Sequence, residues 1–433
     1  MGAGPGVVRL VGCDDRSPDL IEKSVEDSGV LASGAARLDP LAPDVLKEQI
    51  KSLFSDVREC LKQRRLPEGG AFQSRLGQAD ILLLDYGLTQ FPDFGIRLTA
   101  EHLAGYVRAF TDTPYVVSLN KLKNVDFDLK YLLGDFDTRA DLALKTEHLA
   151  VSGLWTGVVG EGVFCPWYWP KLLDAPARRR AQVQIVKERM NESILSTIGM
   201  PASCVSFLSR QAIAFLSPFG QEAPTGGTKD VREVTFWDHF LSSNRTLPDD
   251  DRREILASAD VDVAATECPD DDALRTIVAR VVAAELEFWF RRDVLGPQQL
   301  LIDPPHLQAR LRVARGDGRD TAENWSDTAR RREAPFGLDE QSYGTITEPG
   351  MHESPWVDGP SFWLPIIEET PEFLRISEEA IRFNELYFCE DTRRFRPRGE
   401  TSRFVTDLTK GADIRFVERV DPYVYSPASL FAR

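Results

Sequence analysis

The feature that most constrains this chain is a set of short apolar runs in its first third, each closed by a polar residue. Val7-Val-Arg-Leu-Val11 leads into Gly12-Cys13-Asp14-Asp15; Ala79-Asp-Ile-Leu-Leu-Leu84 ends at Asp85; Tyr115-Val-Val117 ends at Ser118; Ala140-Asp-Leu-Ala-Leu144 ends at Lys145. Short, nearly unbroken apolar runs are what strands show when both faces of a parallel sheet are covered. The intervening segments have helical periodicity. Residues 43–64 carry Val45, Leu46, Ile50, Leu53, Phe54, Val57 and Leu61 at three- and four-residue spacing, which predicts a helix with one apolar face. Further helices are expected at 18–27 and 99–110, with a short helical piece at 126–133, and a weak second strand is expected at 29–36. Five strands alternating with helices over residues 5–150 predict an α/β fold with a doubly wound parallel sheet.

The full length of 433 residues leaves room for two or three domains. Residues 151–172 are rich in glycine and aromatics, including Phe164-Cys-Pro-Trp-Tyr-Trp-Pro170, and read as a hinge whose aromatic knot serves interdomain packing. All eight tryptophans lie at 155 or beyond, which supports a compositional boundary there. A mainly α-helical region is expected over 173–313, with helices at 176–197, 203–215, 232–243 and 272–294. Residues 314–360 read as a loop or linker, and 361–433 as a small α+β segment with a helix at 375–387 and strands near 403–407 and 414–419.

Charge and cysteine usage narrow the function classes. A net charge of −16 argues against a nucleic-acid binder, which needs a positive face. The cysteines at 13, 60, 165, 204, 268 and 389 include no CxxC pair, so reduced thiols are expected rather than a disulfide frame or a zinc site. The opening segment lacks a basic region ahead of an apolar core, and no apolar stretch approaches the ~20 residues of a membrane span. A soluble, cytoplasmic protein with no membrane partner is the expectation. Elsewhere, Thr225-Gly-Gly-Thr-Lys229 lacks P-loop spacing and reads as a plain loop. Arg178–Arg180 and Arg330–Arg332 read as solvated faces, and His239 as a packed helix residue.

Chemistry is expected at the carboxyl ends of the strands, where open α/β sheets bind their ligands. Those ends supply Asp14, Asp15, Asp85, Ser118 and Lys145. Three converging carboxylates repel one another, and a hard cation such as Mg²⁺ relieves that repulsion through oxygen coordination. An aspartate beside such an ion can attack a phosphoryl group, while an ammonium and a hydroxyl hold the equatorial oxygens.

The order Asp-Asp, Asp, Ser, Lys at the ends of strands one, three, four and five resembles the receiver domain of two-component response regulators. Ile81-Leu-Leu-Leu-Asp85-Tyr-Gly-Leu88 is similar to the family's acceptor strand, Pro114-Tyr-Val-Val-Ser118 to its fourth and Asp141-Leu-Ala-Leu-Lys145 to its fifth. The resemblance implies a flavodoxin-like five-stranded sheet. It also implies Mg²⁺ on Asp14, Asp15 and Asp85, a phosphoryl group on Asp85, and Ser118 and Lys145 in contact with that group. A sensor histidine kinase is the implied donor, and a downstream effector protein a further partner. The chain departs from the family at Thr89 and Thr146, where proline is usual, and at Leu142, where many members carry a switch aromatic. Three outputs stay open for the region beyond 150: a phosphoryl relay or sink, a receiver-gated effector enzyme, or a scaffold built on a degenerate receiver. The layout is similar to receiver proteins of bacterial anti-phage defence.

Overall fold

The computed structural model describes residues 6–66, 74–88, 98–120, 138–157, 170–200, most of 202–216, 230–243, 246–262, 265–294 and short pieces beyond 300. Strands β1 (Val8–Cys13), β2 (Ala36–Leu41), β3 (Ile81–Asp85), β4 (Tyr115–Asn120) and β5 (Leu142–Lys145) form one sheet in the order β2-β1-β3-β4-β5. Every pairing in it is parallel. The expected doubly wound α/β sheet is therefore present, with the strand order of flavodoxin-like folds. Helices α1 (Asp19–Asp27), α2 (Pro43–Lys62) and α3 (Ala100–Phe110) alternate with the strands. The expected piece at 126–133 lies outside the described residues.

Alternation along each strand divides the apolar side chains between two faces. Leu10, Ile81, Leu83, Val117, Leu142 and Leu144 join Ile21 and Val25 of α1 in one buried cluster. Val11, Leu82, Leu84 and Val116 join Leu46, Ile50, Leu53, Val57 and Leu61 of α2 in the other. Each such side chain contributes roughly 1.5–3 kcal/mol on burial.

The second strand differs from expectation. Residues 29–34 form turns, with Gly29 and Gly34 at φ of 77° and 71°, a left-handed backbone that glycine adopts without strain. The strand itself is Ala36-Arg-Leu-Asp-Pro-Leu41. Pro40 is tolerated because β2 lies at the sheet edge and pairs only with β1.

Beyond the sheet come α4 (Ser152–Thr156), α5 (Ala175–Glu188), α6 (Ile194–Thr197), α7 (Ala202–Val205), α8 (Arg210–Leu216), α9 (Phe236–Ser242), α10 (Asp249–Ser258) and α11 (Asp272–Trp289). The helix expected at 176–197 is interrupted: Ser193 caps a new turn, its Oγ accepting from Ser196 N at 3.3 Å. The helix α10 was not expected, because its sequence is mostly charged and only a few of its residues are buried. Strands β6 (Leu386–Cys389), β7 (Arg394–Pro397), β8 (Ser402–Phe404) and β9 (Arg415–Val417) form a second sheet that includes the two expected near 403–407 and 414–419. The aromatic knot, nearly all of 314–360 and residues 375–385 lie outside the described residues.

Helices α5 and α11 bury their apolar residues in the same cluster as one face of the parallel sheet. A buried set of ions joins them to it. Asp141, just before β5, receives Arg179 of α5 at 2.7 Å, Arg108 of α3 at 2.9 Å and the backbone N–H of Val116 at 2.7 Å. Arg179 also donates to Glu287 of α11 at 2.7 Å. Arg291 donates to the Asp141 carbonyl at 2.8 Å, to the Tyr115 hydroxyl at 3.0 Å and to Glu287. Arg179 is therefore not part of a solvated arginine face: only 2 % of it is exposed. Burial alone would push the Glu287 carboxyl up, but Arg291, Arg179 and Arg178 outweigh it and hold the group well below the usual carboxylate range.

Removing one partner strands the others in the interior. Arg179→Met should lower the unfolding free energy by about 3–5 kcal/mol in urea denaturation. A carboxyl depressed in the folded state stabilises above its unfolded value of about 4.3, and that contribution is lost as pH falls below it. Stability should accordingly drop between about pH 5 and pH 2, and Glu287→Gln should flatten part of that slope. Gly105 of α3 is a further close approach: a Cβ there would lie 2.8 Å from the Thr246 carbonyl oxygen. Gly105→Ala should destabilise by about 1–3 kcal/mol, since backbone must shift to admit the methyl.

Candidate metal centre

The parallel register gathers the polar strand ends on one edge. Cys13, the last residue of β1, pairs with Leu84, so Asp14 follows directly beside Asp85, the last residue of β3. Asp14, Asp15 and Asp85 are all buried, at 2 %, 5 % and 7 % exposure. One carboxylate oxygen from each lies within 4.8 Å of the others. This is the convergence expected from the sequence.

Local hydrogen bonds hold Asp14 in place. Asp14 Oδ1 accepts from Arg16 N at 2.8 Å and from Ser17 N at 3.2 Å, closing the turn that leads into α1. At the end of β3, Tyr86 N donates to the Leu119 carbonyl at 2.8 Å, and the Tyr86 carbonyl accepts from Ala100 N at 3.0 Å. The residue that follows Asp85 is thereby tied both to β4 and to the first residue of α3. Burial, reinforced by Glu101, pushes the Tyr86 phenol up.

Ser118 and Lys145 reach the same edge at different depths. Asp85 pairs with Leu119, whereas Ser118 pairs with Leu84 and so sits one residue lower in β4. Lys145 pairs with Asn120, one residue beyond that level. Both side chains are buried, at 2 % and 4 % exposure. Lys145 N lies 3.4 Å from His148 Nδ1, a neighbour that sequence reasoning missed and that only the short helical turn after β5 reveals. The three carboxylates form a cluster; the hydroxyl and the ammonium belong to the two adjacent strand ends.

The donor set suits a hard divalent cation. Two carboxylates at this separation repel by roughly 3 kcal/mol even at an effective dielectric constant near 20, so a buried trio calls for a positive charge. Octahedral coordination at about 2.0–2.1 Å puts oxygens roughly 3–4 Å apart, a spacing that falls within the 4.8 Å over which these three lie. The adjacent Cys13 thiol is no competitor: burial, then Asp39 and Asp14, push it far up and keep it neutral. Among the described residues no helix is long and apolar enough to cross a membrane. Compared with protein-family models, with curated proteins and with solved structures, the chain matches none.

A divalent cation should bind here and stabilise the fold. With Mn²⁺ as the probe, a hundredfold excess over its Kd should add about 2.7 kcal/mol to the unfolding free energy. Asp85→Asn should weaken calorimetrically measured Mn²⁺ affinity by at least about tenfold.

Proposed function

We propose that this chain is a phosphoacceptor of the receiver type, with Asp85 taking a phosphoryl group from a sensor histidine kinase. The observation that carries the reading is the buried carboxylate trio at the carboxyl edge of a β2-β1-β3-β4-β5 sheet, with a serine and a lysine ending the next two strands. In the reaction, an Asp85 oxygen attacks phosphorus, the bond from phosphorus to the donor imidazole nitrogen breaks, and the imidazole leaves with a proton. The products are an acyl phosphate on Asp85 and a neutral histidine on the kinase.

The roles of the neighbours follow from their chemistry. Asp14 and Asp15, with Asp85, would hold Mg²⁺, whose charge would offset that of the attacking carboxylate and of the transferring phosphoryl oxygens. Lys145 offers an ammonium and Ser118 a hydroxyl to the equatorial oxygens of the transferring group. Burial of both strengthens these interactions relative to water.

The output differs from a receiver that turns an aromatic on its fifth strand. Leu142 is packed in the core beneath α1, at 2 % exposure, and offers no aromatic ring to swing. Tyr86, the residue after Asp85, is bonded through its backbone to β4 and to the start of α3, which offers one path out of the site. A downstream effector would read the changed edge, in the cytoplasm where the kinase donor acts. The readings of an effector enzyme gated by this edge and of an unphosphorylated scaffold remain as outcomes of the test.

Incubation with acetyl phosphate and Mg²⁺ should add the mass of one phosphoryl group to the wild-type chain and none to Asp85→Ala. Lys145→Ala should slow that gain by about a hundredfold. No added mass on the wild type would overturn the proposal in favour of a scaffold.

A further inference from the structure

The opposite edge of the sheet holds a second charged feature, which the phosphoacceptor reading does not use. Between α5, α11 and the loop from α3 into β4 lies a cavity of about 350 Å³. Its wall carries Arg108, Arg179, Arg180, Lys187 and Arg280, against the single carboxylate of Asp112. Such a concentration of cations stands out in a chain of net charge −16. Helical spacing accounts for the alignment: Arg180, Gln184 and Lys187 share one stripe of α5, and Thr276 and Arg280 one stripe of α11.

Cations outnumber their carboxylates once the buried network behind this wall is included. Behind the wall, Arg108 and Arg179 belong to a buried network in which three guanidiniums, theirs and that of Arg291, share two carboxylates, Asp141 and Glu287, so one positive charge is left over. Half-buried Arg178, 3.8 Å from Glu287, adds to the excess. Arg108 Nε is buried and has no acceptor among the described residues. Nearer the mouth, Lys187 pairs with Asp272 at 2.7 Å and Arg280 with Asp112, but those carboxylates are 87 % and 52 % exposed. Exposed partners of this kind contribute little and are readily exchanged for another anion. Arg280 itself is only 15 % exposed, and burial lowers its basicity by more than Asp112 restores.

We infer that this cavity is a binding site for a compact, multiply charged phosphate anion, such as a pyrophosphate group, free or on a nucleotide. Lys187 and Arg280 would exchange their surface carboxylates for phosphate oxygens, with the guanidinium group of Arg280 suited to bidentate contact. Arg180, whose present partner is Asp80, would close the outer side. The volume falls within the range of small-ligand sites.

The test is calorimetric titration of the full chain with inorganic pyrophosphate and, separately, ADP. Both are run in EDTA at low salt, so that binding through a metal at Asp14, Asp15 and Asp85 is suppressed. One site is expected, weakened at least tenfold in Arg280→Gln and severalfold in Lys187→Gln, an outward position that leaves the core intact. Asp272→Asn, which frees Lys187, should tighten binding, and Asp85→Asn should leave it unchanged. Whichever probe binds more tightly identifies the source of the phosphate group. No heat with either probe, equal affinity in both cation variants, or loss of binding in Asp85→Asn would overturn the assignment.

Discussion

Asp141 is the residue on which the arrangement of helices around this sheet depends. Its carboxylate receives Arg179, Arg108 and the Val116 backbone, and its carbonyl receives Arg291. Those four donors come from α5, α3, β4 and the turn after α11. A carboxylate this deeply buried would be prohibitive without partners, and its partners would be equally so without it. The set therefore admits few alternative dockings of α5 and α11 on the sheet, and it explains why they share a core with residues far earlier in the chain.

The same sheet carries opposite electrostatic problems at its two edges. At the carboxyl edge, Asp14, Asp15 and Asp85 bring three carboxylates together, a cluster that could hold a divalent cation. At the amino edge, arginines outnumber the carboxylates that hold them. The two are linked by structure rather than by proximity. Tyr86, next to Asp85, hydrogen-bonds to the start of α3, and α3 presses Gly105 against the Thr246 carbonyl. Thr246 in turn donates through its N–H and hydroxyl to Glu285, at 2.9 and 2.7 Å. Glu285 lies 3.0 Å from His239, and that partner, with Ser243 and Thr246, overcomes burial to hold its carboxyl down to about 2. Under the phosphoacceptor reading, a change at Asp85 meets this packed series directly.

Much of this was legible in the sequence where burial writes a pattern. Strands β1, β3 and β4 are apolar runs because both faces are covered, and α2 announces its buried stripe through Leu46, Ile50, Leu53, Val57 and Leu61. The three aspartates were legible because each directly follows or closes such a run. Strand β2 was not, since an edge strand needs no apolar continuity and tolerates Arg37, Asp39 and Pro40. Nor was the burial of Arg179: it is decided by Asp141 and Glu287, which lie 38 and 108 residues away. Short-range patterns report which face is apolar; they are silent about charges satisfied across the fold.

The account rests on Asp85 as the acceptor within a metal-binding trio. A crystal structure of the chain with Mn²⁺ and beryllofluoride, an analogue of the phosphoryl group, tests both parts in one anomalous-scattering experiment. The account predicts one Mn²⁺ peak among the carboxylates of Asp14, Asp15 and Asp85, with the analogue on Asp85 and its fluorines facing Ser118 and Lys145. A metal peak elsewhere, or an Asp85 carboxylate that stays bare while the analogue is in excess, would contradict it.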